Sequence, residues 1–226
     1  MRSKLLWCGA GLEGLCDRVR RGRLRIQGVS GSFCVVQQRI QQRIQQRAGQ
    51  WRVISGGQTG VDRAALDAAL QAGWLVGGWC PLHRRAEDGK IPPVYPLKET
   101  PARSYAVRTE WNVRDSDGTL VLVLDEISSG TQLTISAAGR LGKPYRIEYL
   151  RGPRGDAVAG RLALADGEFP SLSERVAGVV EWLRREDIRV LNIAGPRGSS
   201  SPEVYPEARQ FVVQLLQQWQ AAVAEP

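Results

Sequence analysis

The chain has 226 residues, 42% of them hydrophobic, enough for one domain or a small pair with a sizeable core. The net charge of +8 has the look of a nucleic-acid footprint, but residues 1–50 hold ten basic and two acidic side chains, so residues 51–226 are neutral and the body is no basic surface. No apolar run approaches the roughly 18 residues that suggest a membrane span, and the four cysteines and single histidine, His83, lack the spacing of a structural zinc site.

Residues 1–50 differ in kind from the rest. The start, Met1–Ala10, faintly resembles a signal peptide, but its apolar stretch is short and many arginines follow, which argues against export. The segment is Arg- and Gln-rich, with the repeat Gln37-Gln38-Arg39-Ile40, Gln41-Gln42-Arg43-Ile44, Gln45-Gln46-Arg47-Ala48. One isoleucine per helical turn is too little apolar surface to fold alone. The expectation is a disordered or loosely helical extension, with a basic arm for nucleic acid or acidic partners as the sharper reading. Three of the cysteines (Cys8, Cys16, Cys34) lie here, so a disulfide framework is not expected and a reducing cytoplasm fits.

From Trp51 the pattern alternates strand and helix. Trp51–Ser55 reads as a strand, and Val61–Ala72 as a helix that Gly73 ends. Trp74–Trp79 reads as a second strand, followed by a long loop, Cys80–Pro101. Arg103–Val113 looks helical with Ala106 and Val113 inward. Leu120–Leu124 is continuously apolar, as a strand covered on both faces requires. The next helix, about Thr131–Leu141, presents Leu133, Ala137 and Leu141. Tyr145–Tyr149 is a fourth strand, and 151–170 a Gly/Pro-rich surface excursion. Ser171 and Glu174 form a capping box before a helix with Leu172, Val176, Val179 and Leu183 inward. Arg189–Ile193 is the fifth strand. Ser201-Pro202 opens a last helix with Val204, Ala208, Phe211, Val212 and Leu215 inward. These elements predict one α/β domain over 51–220: a Rossmann-like, doubly wound, mainly parallel five-stranded sheet with helices on both faces.

Ligands in such folds bind beyond the carboxyl ends of the strands. Three loops converge there. The first, Gly56-Gly57-Gln58-Thr59-Gly60-Val61-Asp62, turns a strand into a helix and reads as a phosphate cradle. It lacks both the dinucleotide spacing and the Gly-Lys-Ser/Thr of a P-loop. Asp62 either steadies the helix dipole or orients a ribose or purine edge. The second, Asp125–Thr131, offers Gly130 and Thr131, the latter as cap or phosphate contact. The third, Ala194–Ser201, offers Gly195 and Arg197, the best anion-binding candidate outside the first loop. The long loop adds Arg84 as a phosphate or carboxylate binder and Glu87 and Asp88 as paired acids or a solvated turn. Cys80 reads as packed, and His83 as exposed.

The runs Ser55–Asp67, Ala86–Gly89, Tyr95–Thr100, Arg108-Thr109-Glu110-Trp111-Asn112-Val113, Ser116–Leu120, Gly130-Thr131 and Asn192–Arg197 together resemble the family labelled molybdenum carrier. That family is also described as circularly permuted YpsA-like, within the SLOG superfamily of Rossmann-like nucleotide-ligand binders. The resemblance covers about residues 51–215. It implies a Rossmann-like fold and a ligand site where these loops meet, and it adds Arg108 and Asn112 to the ligand-binding candidates. Where the family has Gly-Arg after Cys-Pro-x, this chain has His83-Arg84. The Pro-Gly-Gly-x-Gly-Thr-x-x-Glu signature of the related phosphoribohydrolases is absent, which weakens a hydrolase of that kind.

The leading expectation is a carrier-type protein for a phosphate-bearing nucleotide or pterin ligand, with molybdenum cofactor or a nucleotide as the candidate cofactor and no protein-held metal. An alternative is a hydrolase or transferase of a nucleotide-derived substrate, with Glu87, Asp88 or Asp117 supplying the carboxylates. A second alternative is nucleic-acid binding through the basic arm. Self-association into a homo-oligomer is also expected.

Overall fold

Short β-rich runs that are apolar on both sides can only sit inside a covered sheet, and that is where the chain puts them. A computed structural model describes residues 51–124, 126–152 and 169–224; the reading of residues 1–50 as an extension, and most of the 151–170 excursion, lie outside the described residues. Five parallel strands make the sheet: β1 (Arg52–Ile54), β2 (Leu75–Gly77), β7 (Gly118–Val123), β8 (Tyr145–Tyr149) and β9 (Val190–Ala194), in the order β2-β1-β9-β7-β8. Every residue of β7 is buried. The last strand lies at the centre, between β1 and β7. Counted from β9 through β1, β2, β7 and β8, the order is 3-2-1-4-5, the doubly wound arrangement begun one unit late.

The helices follow the strands: α1 (Val61–Gln71), α2 (Tyr105–Arg114), α3 (Ser129–Arg140), α4 (Leu172–Arg185) and α5 (Val204–Ala224). Helix α5 packs on both α1 and α4, while α2 packs on α3. Period-two alternation in β7 sends Leu120 and Leu122 into the large core with Val61, Ala68, Val179, Phe211 and Leu215. Trp219 closes that core, with Trp51 at 4.8 Å and Trp74 at 5.1 Å. Among the described residues no helix is long and apolar enough to cross a membrane.

Several expected boundaries shift for local reasons. The expected strand Trp74–Trp79 divides at Gly78, whose φ of 123° turns the chain out of the sheet. Beyond it, β3 (Trp79–Cys80) pairs with β6 (Lys98–Glu99), and β4 (Arg85–Ala86) pairs with β5 (Gly89–Lys90). The long loop therefore has a small core of its own, in which Cys80, Ala86, Ile91, Tyr95 and Leu97 pack on Leu66. Helix α3 starts earlier than expected because Ser128, its N-cap, accepts from the Thr131 amide. Its buried face is Thr131, Thr134, Ala137 and Ala138, whereas Leu133 and Leu141 are exposed. Ala106, expected inward, is exposed on the first turn of α2.

Candidate functional site

The glycine turn after β1 is satisfied from within the protein. Gly60, at φ 79°, caps α1, and a side chain there would run into the backbone of Gly198, at 2.8 Å, and of Arg197, at 2.9 Å. Gly57, at φ 73°, lies under Ile91 and Leu97, and Gly56 lies under the Arg108 guanidinium. Three of the amides are also committed. Gln58 N–H donates to Asp62 Oδ2 at 3.2 Å, Thr59 N–H to the Gln58 side-chain oxygen at 3.0 Å, and Val61 N–H to the Pro196 carbonyl at 3.2 Å. Three amides of the expected cradle thus meet the protein's own acceptors, two within the turn and one from the loop after β9, which lies across the start of α1.

The carboxylates proposed for catalysis are likewise committed. Glu87 accepts from the Thr59 hydroxyl, from Ser199 N–H at 3.0 Å and from the Ser199 hydroxyl at 2.5 Å, with Arg197 at 3.5 Å. Burial alone would raise this carboxyl, but the Ser199 and Thr59 hydrogen bonds and the Arg197 charge outweigh it and hold it below its ordinary value. Asp88 pairs with both terminal nitrogens of Arg63, and that pair keeps its carboxyl low. Asp117 stands at the other end of the sheet, before β7. There it accepts from Arg189 N–H at 3.0 Å and Val190 N–H at 2.7 Å, and so does not share a site with the other two.

Arg84 and Asn112 hold the scaffold together. Arg84, in the left-handed region at φ 54°, donates to four carbonyls, those of Ile91, Pro92, Tyr95 and Leu97, at 2.9–3.1 Å. Its guanidinium organises the loop and spends four of its five N–H donors there. Asn112 is 2% exposed and clamps both backbone groups of Trp79, which ties β3 to α2 and fixes the turn that carries Arg108. His83 is exposed and Cys80 fully buried; burial pushes the Cys80 thiol up, away from reactivity.

A cleft of about 220 Å³ opens beyond the carboxyl ends of β1, β9 and β7, the place where the crossovers from β9 and β7 part to opposite faces. One wall is Gln58 and Asp62 from the glycine turn. A second is Tyr105, Arg108 and Thr109 from α2. A third is the first turns of α3 with Ser128, Ser129, Gly130 and Thr134, and the floor is Ala194, Gly195, Arg197 and Ser200. Sequence reasoning placed Gln58, Asp62, Arg108, Gly130, Gly195 and Arg197 here. Gly56, Gly57, Thr59, Gly60 and Thr131 stand behind the wall and shape it. Tyr105 was missed, since a lone tyrosine opening a helix carries no local signal.

The cleft is electropositive on one side and anchored by a buried pair. Arg108 Nη1 donates to Asp62 Oδ2 at 2.7 Å, with the side chains 13% and 5% exposed. Arg108 Nε is buried and has no acceptor among the described residues. Leaving such a group unpaired costs about 1–3 kcal/mol. Arg85 stacks on Tyr105 at 5.1 Å, and Arg197, half exposed, donates from Nε to the Ser200 hydroxyl at 3.2 Å. Among the described residues, no group of three or more His, Cys, Asp or Glu side chains is placed to hold a metal ion.

Residues 53–216 match the model of the circularly permutated YpsA SLOG family. No curated protein matches the chain. Among solved structures, the chain is similar to a "Putative molybdenum carrier protein" from Syntrophus aciditrophicus SB. The two are 38% identical, the match covers 74% of this chain and 93% of the other, and the TM-score is 0.62.

Proposed function

Because the chain belongs to the circularly permutated YpsA SLOG family, we propose that it is a carrier-type protein that holds a phosphate-bearing nucleotide or pterin ligand in the cleft beyond β1, β7 and β9. The observation that carries this reading is the buried, under-bonded Arg108 facing a cleft at the switch point of the sheet. Carboxylates that would act as acid or base are engaged elsewhere, since Glu87 and Asp88 tie loops together and Asp117 caps β9 from the far end. That arrangement favours holding over cutting.

Molybdenum cofactor is a candidate because the solved relative carries the molybdenum carrier name. The residues fit the phosphate end of such a ligand. They offer guanidinium, hydroxyl and helix-end donors, and the lining has neither thiol nor imidazole to take the metal. The volume is below the roughly 300–1,000 Å³ of sites for drug-sized ligands, so a phosphate and part of a ring would sit inside with the rest at the mouth. A cytoplasmic setting accords with the buried free thiol of Cys80. Equilibrium dialysis against molybdenum cofactor, nucleoside monophosphates and ADP-ribose tests the proposal, and binding of none of them rejects it. A parallel screen for turnover separates carrier from hydrolase or transferase: product formation that Asp62→Asn removes would favour the enzyme.

A further inference from the structure

We infer that the anion seat of this cleft is the Nε–Nη2 edge of Arg108, which grips a terminal phosphate or other tetrahedral oxyanion side-on through two parallel hydrogen bonds. The inference rests on the binding reading of the cleft and names the residue and geometry that the reading leaves open. Three observations lead to it. Three of the glycine-turn amides that would form a cradle, those of Gln58, Thr59 and Val61, are spent on Asp62, Gln58 and Pro196. Arg197 is half exposed, and its Nε is already engaged by Ser200 and Glu87. Arg108 alone combines burial with unused donors. Its Nη1 is fixed by Asp62, and among the described residues its buried Nε has no acceptor and its Nη2 makes no hydrogen bond.

The guanidinium is a rigid planar fork, and Nε and Nη2 are the two donors of one edge. That edge matches two oxygens of a phosphate, whereas a point cation such as lysine does not reproduce it. Asp62 acts as a positioning residue. By taking Nη1, it fixes the guanidinium and leaves both donors of the Nε–Nη2 edge for a ligand. Asn112 accepts no part of this but donates to the Arg108 carbonyl, so the turn of α2 beneath the guanidinium is itself held. Gly56 is required beneath it, since any side chain there would occupy the guanidinium's place.

The test measures binding of inorganic phosphate, AMP and bromide by the full chain. Wild-type protein is expected to prefer phosphate and AMP over bromide. Arg108→Lys, which keeps the charge and loses the fork, is expected to weaken phosphate and AMP at least tenfold while bromide changes less than twofold. Arg197→Gln is expected to weaken phosphate by no more than about threefold. Equal phosphate affinity in wild type and Arg108→Lys overturns the seat while leaving the cleft reading intact. Absence of phosphate and AMP binding in the wild type rejects the reading itself. Should Arg108→Lys fail to fold, phenylglyoxal labelling of wild-type protein decides: phosphate is expected to protect Arg108, and identical labelling with and without phosphate overturns the inference.

Discussion

The Glu87 carboxylate accepts the amide of Ser199, 112 positions further along the chain, at 3.0 Å, and so ties the Cys80–Thr100 loop to the end of the central strand β9. The same carboxylate takes the Thr59 hydroxyl, which joins the glycine turn to both. Three loops that sequence order keeps far apart are thereby fastened around one cleft.

The Glu87 staple has a pH dependence with a definite sign. Its carboxyl is held below the ordinary 4.5 in the folded protein. The stabilisation is therefore present above that value and is lost as pH falls through the lower, folded one. Glu87→Gln is expected to cost about 1 kcal/mol at neutral pH and to flatten the acid limb of stability below about pH 4.5. Urea unfolding at stepped pH checks this; an acid limb identical in wild type and variant contradicts it.

Arg84 organises its loop through four carbonyls. Arg84→Met is expected to lose about 2–3 kcal/mol and to speed amide exchange over residues 91–97, with the sheet unaffected. Hydrogen exchange read by peptide resolves the two regions. Unchanged protection in 91–97 would show that the hydrophobic cluster alone holds the loop.

Asp117 serves the sheet. Asp117→Asn is expected to lower stability by about 1 kcal/mol through the weakened Arg189 and Val190 amide contacts, and to change ligand affinity less than twofold. A large loss of binding or of any turnover would put this carboxylate back in the chemistry.

Two glycines that look alike in sequence are expected to behave oppositely. Gly60→Ala must hold φ near 79° with its Cβ against the Gly198 and Arg197 backbone, and is expected to lose at least about 2 kcal/mol. Among the described residues Gly130 has no close neighbour, the nearest atom being the Ser128 hydroxyl oxygen at 4.0 Å, so Gly130→Ala is expected to be neutral or to stabilise α3 by up to about 1 kcal/mol. Thermal unfolding of the two variants side by side measures the difference.

Much of this architecture was legible in the chain. The apolar run at Leu120–Leu124, the capping box at Ser171 and the α5 stripe from Val204 to Leu215 each carry a local signal, and each lies where that signal placed it. The paired strands of the long loop were not legible, because two residues are too short for any period to show. The inward face of α3 was misread for a different reason. Ala137 and Ala138 pack with Val113 of α2 and turn Leu133 and Leu141 outward, against the simple weight of hydrophobicity. The glycine turn lies where its signal placed it, but its packing against Pro196, Arg108 and Glu87 comes from distant parts of the chain and has no local pattern.

Ser129 offers the most direct test of the central claim, because it lines the cleft on an exposed first turn of α3 and a tryptophan there fills the cleft without entering the core. Equilibrium dialysis of wild type and Ser129→Trp against phosphate-bearing nucleotides and molybdenum cofactor should find a ligand for the wild type and at least a tenfold loss in the variant, at matched thermal stability. Equal binding by the two proteins, or no binding by the wild type, would contradict a phosphate-bearing ligand in this cleft.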